Sequence, residues 1–462
     1  MKLTALSGSI MALLMGVTTA SYADETKSTE QPNILLFFVD DMGWASRTSK
    51  DPIYETPNID QLSKDGLEFE STYIATPTCS PSRATLLTGQ HPARIKMPRH
   101  IPHQAQYGFD KKGRTDQKWN LWPKDPAQVP SANWLGLEYT TYAEALKEQG
   151  YYNLFVGKWH LGDERYHPIH QGFDKQIGTS NWGHPRSYYP PYFKNSDVYK
   201  DVKDRYLTDK LTDDAVSFLE TYDKKKPFML SMWYYAIHTP FEGRKDLVKH
   251  FEEKGLRGKH AQHAALVSGI DESIGRIRAT LKAQGLDKNT MVIFLSDQGG
   301  ILNNKPFRGG KMIDTLYEGG ARVPFIVSWP GVTKPGTKNT SLVQSTDLFP
   351  TFIEIAGGDT SKYKNLDGVS LLNTIKENST LNRGEPLFGY RAYQDLYATV
   401  REGDWKLAAF RSGNTKLYNI ADDISESIDV SRNHEEKVNE LVKKLTTWEK
   451  EMGVEEYSGF NR

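Results

Sequence analysis

Ile34-Leu35-Leu36-Phe37-Phe38-Val39 leads without interruption into Asp40-Asp41. So unbroken an apolar run has the character of a strand covered on both faces, the habit of parallel sheets. The two acids stand just past its carboxyl end, where open α/β sheets bind ligands. Residues 153–156, 228–235, 292–295 and 323–328 share that character, and helical patterns at 58–65, 142–149, 213–222 and 260–284 lie among them. This alternation predicts an α/β fold with a mainly parallel central sheet flanked by helices. The residues after each run carry the chemistry. Run 292–295 enters Ser296-Asp297-Gln298-Gly299-Gly300, run 153–156 enters Gly157-Lys158-Trp159-His160, and run 228–235 leads to His238. Four strands thereby deliver acids, a lysine and histidines to one sheet edge.

Past about residue 378 the pattern changes to short segments at 386–390, 397–401, 405–410 and 416–420, separated by turn residues. They predict a small antiparallel sheet, closed by an amphipathic helix over 435–452. The expected organisation is a catalytic α/β domain over 24–378 and an α+β subdomain over 379–462. Residues 1–23 read as an export signal: Lys2, an apolar stretch over 3–19, then Ser21-Tyr22-Ala23 with small residues at the cleavage positions. No later window reaches about 18 apolar residues, so stable membrane insertion is not expected. The expected location is periplasmic or secreted.

Lysine and arginine number 58 against 58 aspartates and glutamates, a balance that argues against a general nucleic-acid binder. One cysteine excludes an intrachain disulfide and a cysteine-rich metal site. That cysteine opens Cys79-Ser80-Pro81-Ser82-Arg83-Ala84-Thr85-Leu86-Leu87-Thr88-Gly89. Proline two residues on suits the first turn of a helix, which places Cys79 at the helix N-terminus, where anions are favoured. On spacing alone this is an activated thiol, an anion site, or a structural cysteine beside a cap.

Cys-x-Pro-Ser-Arg followed by a short helix ending in Thr-Gly resembles the signature of the type I sulfatases, bacterial carbohydrate sulfatases among them. The resemblance extends through Pro32-Asn33-Ile34 with Asp40-Asp41, Gly157-Lys158-Trp159-His160-Leu161-Gly162 and Asp271-Glu272. It continues through Ser296-Asp297-Gln298-Gly299, Tyr317-Glu318-Gly319-Gly320 and Leu417-Tyr418-Asn419. It implies an alkaline phosphatase-like fold, hydrolysis of sulfate esters, and conversion of Cys79 to Cα-formylglycine by a maturation enzyme. The hydrated aldehyde has two hydroxyls: one attacks sulfur, and the other later expels sulfate, an exit that a sulfated thiol lacks.

Asp40, Asp41, Asp297 and Gln298 offer only oxygen ligands, as a hard divalent cation requires. By the resemblance that cation is calcium, with magnesium as the alternative. Gln298 departs from the family's more usual asparagine by one methylene. The resemblance further assigns Lys158 and Lys311 to the sulfate oxygens and Arg83 to orientation of the aldehyde carrier. His160 would take the proton of the second hydroxyl, and His238 would protonate the leaving alcohol. Lys311 lies seven positions before Glu318, two more than the common family spacing.

For the alcohol, two stretches are informative. Residues 91–103 contain Arg94, Lys96, Arg99, His100 and His103; residues 181–192 interleave Trp182, Tyr188, Tyr189 and Tyr192 with His184 and Arg186. Aromatic faces stack on sugar rings and cations meet neighbouring acidic groups. His100, His103, His184 and Arg186 are therefore the expected substrate-binding residues, for a sulfated polysaccharide or oligosaccharide. A phosphatase of related fold would instead call for a serine or threonine nucleophile and histidine-rich sites for two zinc ions.

Overall fold

A computed structural model describes residues 31–122, 127–312 and 314–454, and of the first thirty residues only Met1. The expected export signal thus lies outside the described residues. The described residues from Gln31 onward form one compact unit.

The strands, in chain order, are β1 (Asn33–Val39), β2 (Leu67–Tyr73), the two-residue β3 (Trp119–Asn120) and β4 (Ser131–Ala132), β5 (Tyr152–Gly157), β6 (Lys175–Ile177), β7 (Phe228–Trp233), β8 (Thr290–Ser296), β9 (Arg322–Ser328) and β10 (Thr337–Gln344). The helices that matter for the site and its support are α1 (Pro57–Asp65), α2 (Cys79–Thr88), α3 (Tyr142–Glu148), α4 (Leu207–Thr221), α5 (Lys245–Glu253), α6 (Lys259–Ala283), α7 (Glu318–Ala321), α8 (Leu348–Ile355), α9 (Leu372–Glu377) and α10 (Glu435–Met452). The central sheet has the order β10-β2-β9-β8-β1-β7-β5-β6. β8, β1, β7 and β5 are neighbours and mutually parallel, so their carboxyl ends lie side by side.

Strand β1 shows why the fold has three layers. Ile34, Leu36 and Phe38 enter the apolar layer that contains Ala84, Tyr142 and Leu348 of α2, α3 and α8. Leu35, Phe37 and Val39 enter the opposite layer with Ile59, Leu211 and Ile270 of α1, α4 and α6. With a side-chain period of two, both faces must be apolar, which is why the run is unbroken. Truncating Phe38 to alanine would cost about 3–5 kcal/mol.

Run 323–328 departs from expectation. Its strand, β9, is antiparallel to both β2 and β8. An apolar run reports burial on two faces, not direction, and β9 is buried throughout. Strand β2 escaped the sequence reading because Glu68 and Ser71 interrupt its apolar pattern; buried Glu68 is paired with Arg47 at 2.6 Å and accepts from Ser63 Oγ at 2.8 Å. Helix α4 starts at Leu207, six residues before the expected 213.

After α9 the chain forms β11 (Leu387–Tyr390), β12 (Leu396–Glu402), β13 (Trp405–Phe410) and β14 (Thr415–Asn419), an antiparallel sheet in that order. Leu441, Leu445, Trp448 and Met452 of α10 pack with its Val400, Leu407 and Leu417. This sheet also reaches the catalytic side: Tyr390 N donates to Ala75 O at 2.9 Å, and Leu316 and Tyr317 share an apolar cluster with Tyr418.

Candidate active site

The ends of β1, β7 and β8 are laced together. Asp40 N donates to Ala236 O at 3.1 Å and Ile237 N to Asp40 O at 2.8 Å. Asp41 N donates to Asp297 Oδ1 at 3.0 Å, and Met42 N to Ser296 Oγ at 3.0 Å. Asp41 adopts a left-handed backbone, φ 66°, which an aspartate tolerates better than most residues. The result is that carboxylate oxygens of Asp40, Asp41 and Asp297 all lie within 4.8 Å of one another, in the buried interior.

Three cations face these three acids. Lys158 pairs with Asp40, Lys311 Nζ lies 2.6 Å from Asp41 Oδ2, and Arg83 NH2 lies 3.1 Å from Asp297 Oδ2. Arg83 is fixed further by donating to Lys158 O at 2.9 Å. Burial opposes ionisation of every carboxyl here. At Asp40 it is overcome by Lys158, then His238, Arg83 and Lys311, which hold that carboxyl far below its ordinary range. At Asp297 burial and the Asp40 charge win, and the carboxyl is pushed well above its ordinary range. Asp41 is also raised by burial, against Lys311.

Converging buried carboxylates of this kind fit a hard divalent cation, which would relieve both the burial and the mutual repulsion. The side chain of Gln298 reaches the same place: Nε2 donates to Asp41 Oδ1 at 2.7 Å and to Cys79 Sγ at 3.3 Å. A half-turn of the amide exchanges that nitrogen for a carbonyl oxygen, so the longer stem does not take the group out of reach.

Cys79 is the first residue of α2, after Thr78 in extended conformation, and Gly89 ends the helix with φ 65°. Its Sγ lies 3.9 Å from Asp40 Oδ1. Burial would raise this thiol, but Lys158 and Lys311 outweigh it and hold the thiol well below its ordinary range. The position is therefore one where negative charge is stabilised.

Two histidines flank it with assigned ring orientations. His238 Nδ1 donates to Thr239 O at 2.8 Å, leaving Nε2 3.9 Å from Asp41 Oδ2. His160, with a left-handed backbone at φ 56°, donates Nε2–H to Ile101 O at 3.0 Å. Its Nδ1 is buried without a hydrogen-bond partner among the described residues.

Of the expected substrate-binding residues, three gather around these rings. His184 stacks on His238 with centroids 5.3 Å apart and planes at 5°. His103 lies 5.2 Å from His160 and 5.6 Å from Trp182. His100 packs edge-on against Trp122 at 5.5 Å, and burial pushes its pKa down to about 3 despite the nearby Cys79. Arg186 is different: it is exposed, and its hydrogen bond is a backbone one, from N to Tyr192 O at 2.7 Å.

Nor are Tyr188 and Tyr192 a sugar platform. Both are buried, with hydroxyls donating to His238 O at 2.8 Å and Arg205 O at 2.5 Å respectively. Arg94 and Lys96 are likewise structural, on Asp367 and on Met452 O. Two contributors were not anticipated from sequence. Gly183 lies against the His160 ring, where a Cβ would come within 2.7 Å of Nε2. Arg391, from beyond β11, donates to Pro77 O at 3.3 Å, two residues before Cys79. Neither sits in a motif that spacing could have marked.

Residues 32–358 match the protein family described as Sulfatase. Residues 313–452 match the one described as N-sulphoglucosamine sulphohydrolase, C-terminal. N-acetylgalactosamine-6-sulfatase of Mus musculus is 33% identical over 404 residues, which span 80% of this chain and 71% of the mouse protein. A protein named Sulfatase from Formosa agariphila is 28% identical over an alignment of 499 positions, covering 90% of this chain and 88% of its own. Among solved structures, "Ps i-CgsB in complex with k-i-k-neocarrahexaose" superposes with a TM-score of 0.79 at 28% identity, covering 94% of this chain and 95% of that one. The family match takes in the whole buried cluster from Asp40 to Lys311, and the chain belongs to the sulfatase family of sulfuric ester hydrolases.

Proposed function

We propose that this sulfatase is exported and removes sulfate from a sulfated polysaccharide or oligosaccharide, using Cys79 matured to Cα-formylglycine. Asp40, Asp41, Asp297 and Gln298 would hold its divalent cation. The observation that carries this reading is the placement of position 79. It lies beside Asp40 and Gln298, within a buried group of three carboxylates and three basic side chains. The names of similar proteins, an N-acetylgalactosamine-6-sulfatase and a structure holding a neocarrahexaose, support a carbohydrate substrate. Lys2, the apolar stretch over 3–19 and Ser21-Tyr22-Ala23 support export to the periplasm or beyond.

When present, calcium or magnesium supplies Lewis-acid charge toward a sulfate oxygen, and the hydrated aldehyde supplies an oxygen nucleophile with a second hydroxyl. The chain's own groups do the rest. Lys158 and Lys311 place positive charge where the sulfuryl oxygens gain negative charge, and Arg83, held by Lys158 O and Asp297, steadies position 79. His238 in its imidazolium form keeps Nδ1–H on Thr239 O and has the Nε2 proton to give to the leaving alcohol, ending as the neutral ring. His160, with Nε2 committed to Ile101 O, has Nδ1 available to accept the proton whose removal accompanies sulfate release.

Two measurements test this. Maturation lowers the mass of the Cys79 peptide by about 18 Da, and the matured protein should release sulfate from defined sulfated oligosaccharides. Full activity with an unaltered cysteine defeats the formylglycine assignment; release from small aryl sulfates alone defeats the glycan assignment.

A further inference from the structure

Several buried guanidinium groups in this protein meet carboxylates: Arg47 meets Glu68, Arg83 meets Asp297, and Arg322 meets Glu318. Arg391 does not. It is 7% exposed, and among the described residues it has no carboxylate within ion-pair range. Its NH1 donates to Pro77 O at 3.3 Å, and its NH2 donates to Tyr393 Oη. The guanidinium lies 4.6 Å from the Tyr393 ring centroid, and its Nε is buried with no hydrogen-bond partner among the described residues. Burying a cation without a counter-charge is costly, so an anion that arrives there is bound strongly.

The location defines which anion. Pro77 is two residues from Cys79, and the His100 imidazole is close enough to feel both the Cys79 and the Arg391 charges. Aromatic rings line the same side: Trp122 lies 5.5 Å from His100, 5.7 Å from a parallel Tyr107, and 6.2 Å from Tyr393. A half-buried indole, 5.6 Å from the Arg99 guanidinium and next to the Tyr393 ring that Arg391 overlies, suits a sugar ring that carries an acidic substituent.

Resting on the sulfatase reading above, we propose that Arg391 forms a second anion subsite, which takes a sulfate or carboxylate group of the sugar next to the ester being cleaved. The preferred substrate class is then a saccharide with two acidic groups close together. The arginine comes from the C-terminal segment, so this part of the chain sets specificity while the parallel sheet supplies the chemistry.

The test uses two probe pairs: κ- and ι-carrageenan tetrasaccharides, and chondroitin 6-sulfate and 4,6-disulfate disaccharides. Each pair shares a backbone and differs in sulfate number. Titration calorimetry on protein with Cys79 unconverted reads binding without turnover. The wild type should favour the more highly sulfated member of at least one pair by tenfold or more. Arg391→Gln should reduce that preference to about twofold or less. Arg391→Lys keeps the charge but not the planar fork, should lower the preference severalfold, and decides the matter if the glutamine variant does not fold. Equal affinity for both members in the wild type, or an unchanged preference in the variants, overturns the proposal. Sulfate release by matured protein from the same probes is read separately. Retained preference without release would fault the hydrolytic reading and leave the subsite standing.

Discussion

Gly183→Ala probes the His160 assignment with a single methyl group. Gly183 does not use a left-handed backbone, so alanine meets no conformational penalty there; the effect is steric. The new Cβ would lie 2.7 Å from His160 Nε2 and 2.8 Å from Nδ1, with Cε1 nearer still. Unstrained contact needs about 3.5 Å and Cε1 sets the demand, so the ring must retreat by about 1.1 Å. That movement breaks the 3.0 Å bond from Nε2 to Ile101 O and turns Nδ1 away from its present direction. A displacement near 1 Å can cost about 100-fold in rate; the expected loss in kcat is about 30- to 100-fold, or about 2–2.7 kcal/mol. Because His160 is assigned to sulfate release and His238 to alcohol release, the variant should show rapid alcohol release in the first turnover and slow sulfate appearance. Stopped-flow detection of both products reads this directly. Wild-type kcat in a folded Gly183→Ala protein would refute the role given to His160.

Chelation should lower activity by at least about 100-fold, since Lewis-acid charge stabilisation is worth several kcal/mol, and calcium should restore it; an unchanged rate after exhaustive chelation removes the cation from the scheme. Lys406→Met should cost about 3–5 kcal/mol in urea unfolding at pH 7. It strands buried Glu426, which Lys406 Nζ now meets at 2.8 Å, and takes from Glu318, met at 2.9 Å, one of its two cations, leaving Arg322 at 3.3 Å. A loss below about 1 kcal/mol would show that the clasp between α7 and the C-terminal sheet is not supportive. Asp271 accepts hydrogen bonds from Asn58 N and Ile59 N at the start of α1, yet burial raises its pKa from 3.8 to about 6. The folded state then binds more protons than the unfolded state between those values, so stability falls as pH rises through that window. Asp271→Asn should therefore gain on the wild type by up to about 3 kcal/mol from pH 4 to 6.5. Melting curves of the two proteins that stay parallel across the window would refute this.

What the sequence revealed was whatever local pattern encodes. Strands buried on both faces must be apolar at every position, so β1, β5, β7 and β8 were legible, and the residues at their carboxyl ends came with them. Direction is not written in such a run, hence β9. Helix α5 (Lys245–Glu253) went unread because it buries little beyond Phe251. Tyr188 and Tyr192 were misread for a related reason: an aromatic residue in a loop can face a sugar or the core, and only the carbonyl groups waiting for their hydroxyls decide. Gly183 and Arg391 act through neighbours far away in the chain, which no spacing records.

Lys311 shows the same limit from the other side. Its distance from Glu318 along the chain exceeds the family habit by two residues, yet the structure sets its Nζ 2.6 Å from Asp41 Oδ2. The loop is pinned at points that residue counting ignores. Lys311 N donates to Gly300 O at 3.1 Å, and Gly319 N to Arg308 O at 2.7 Å. The Asn304 side chain ties Gly300 O, at 2.8 Å, to Gly309 O, at 3.2 Å. With both ends held, Lys311 is set against Asp41 whatever the number of residues between it and Glu318. A spacing rule measures contour, whereas the position of a functional group is set by the hydrogen bonds that anchor it.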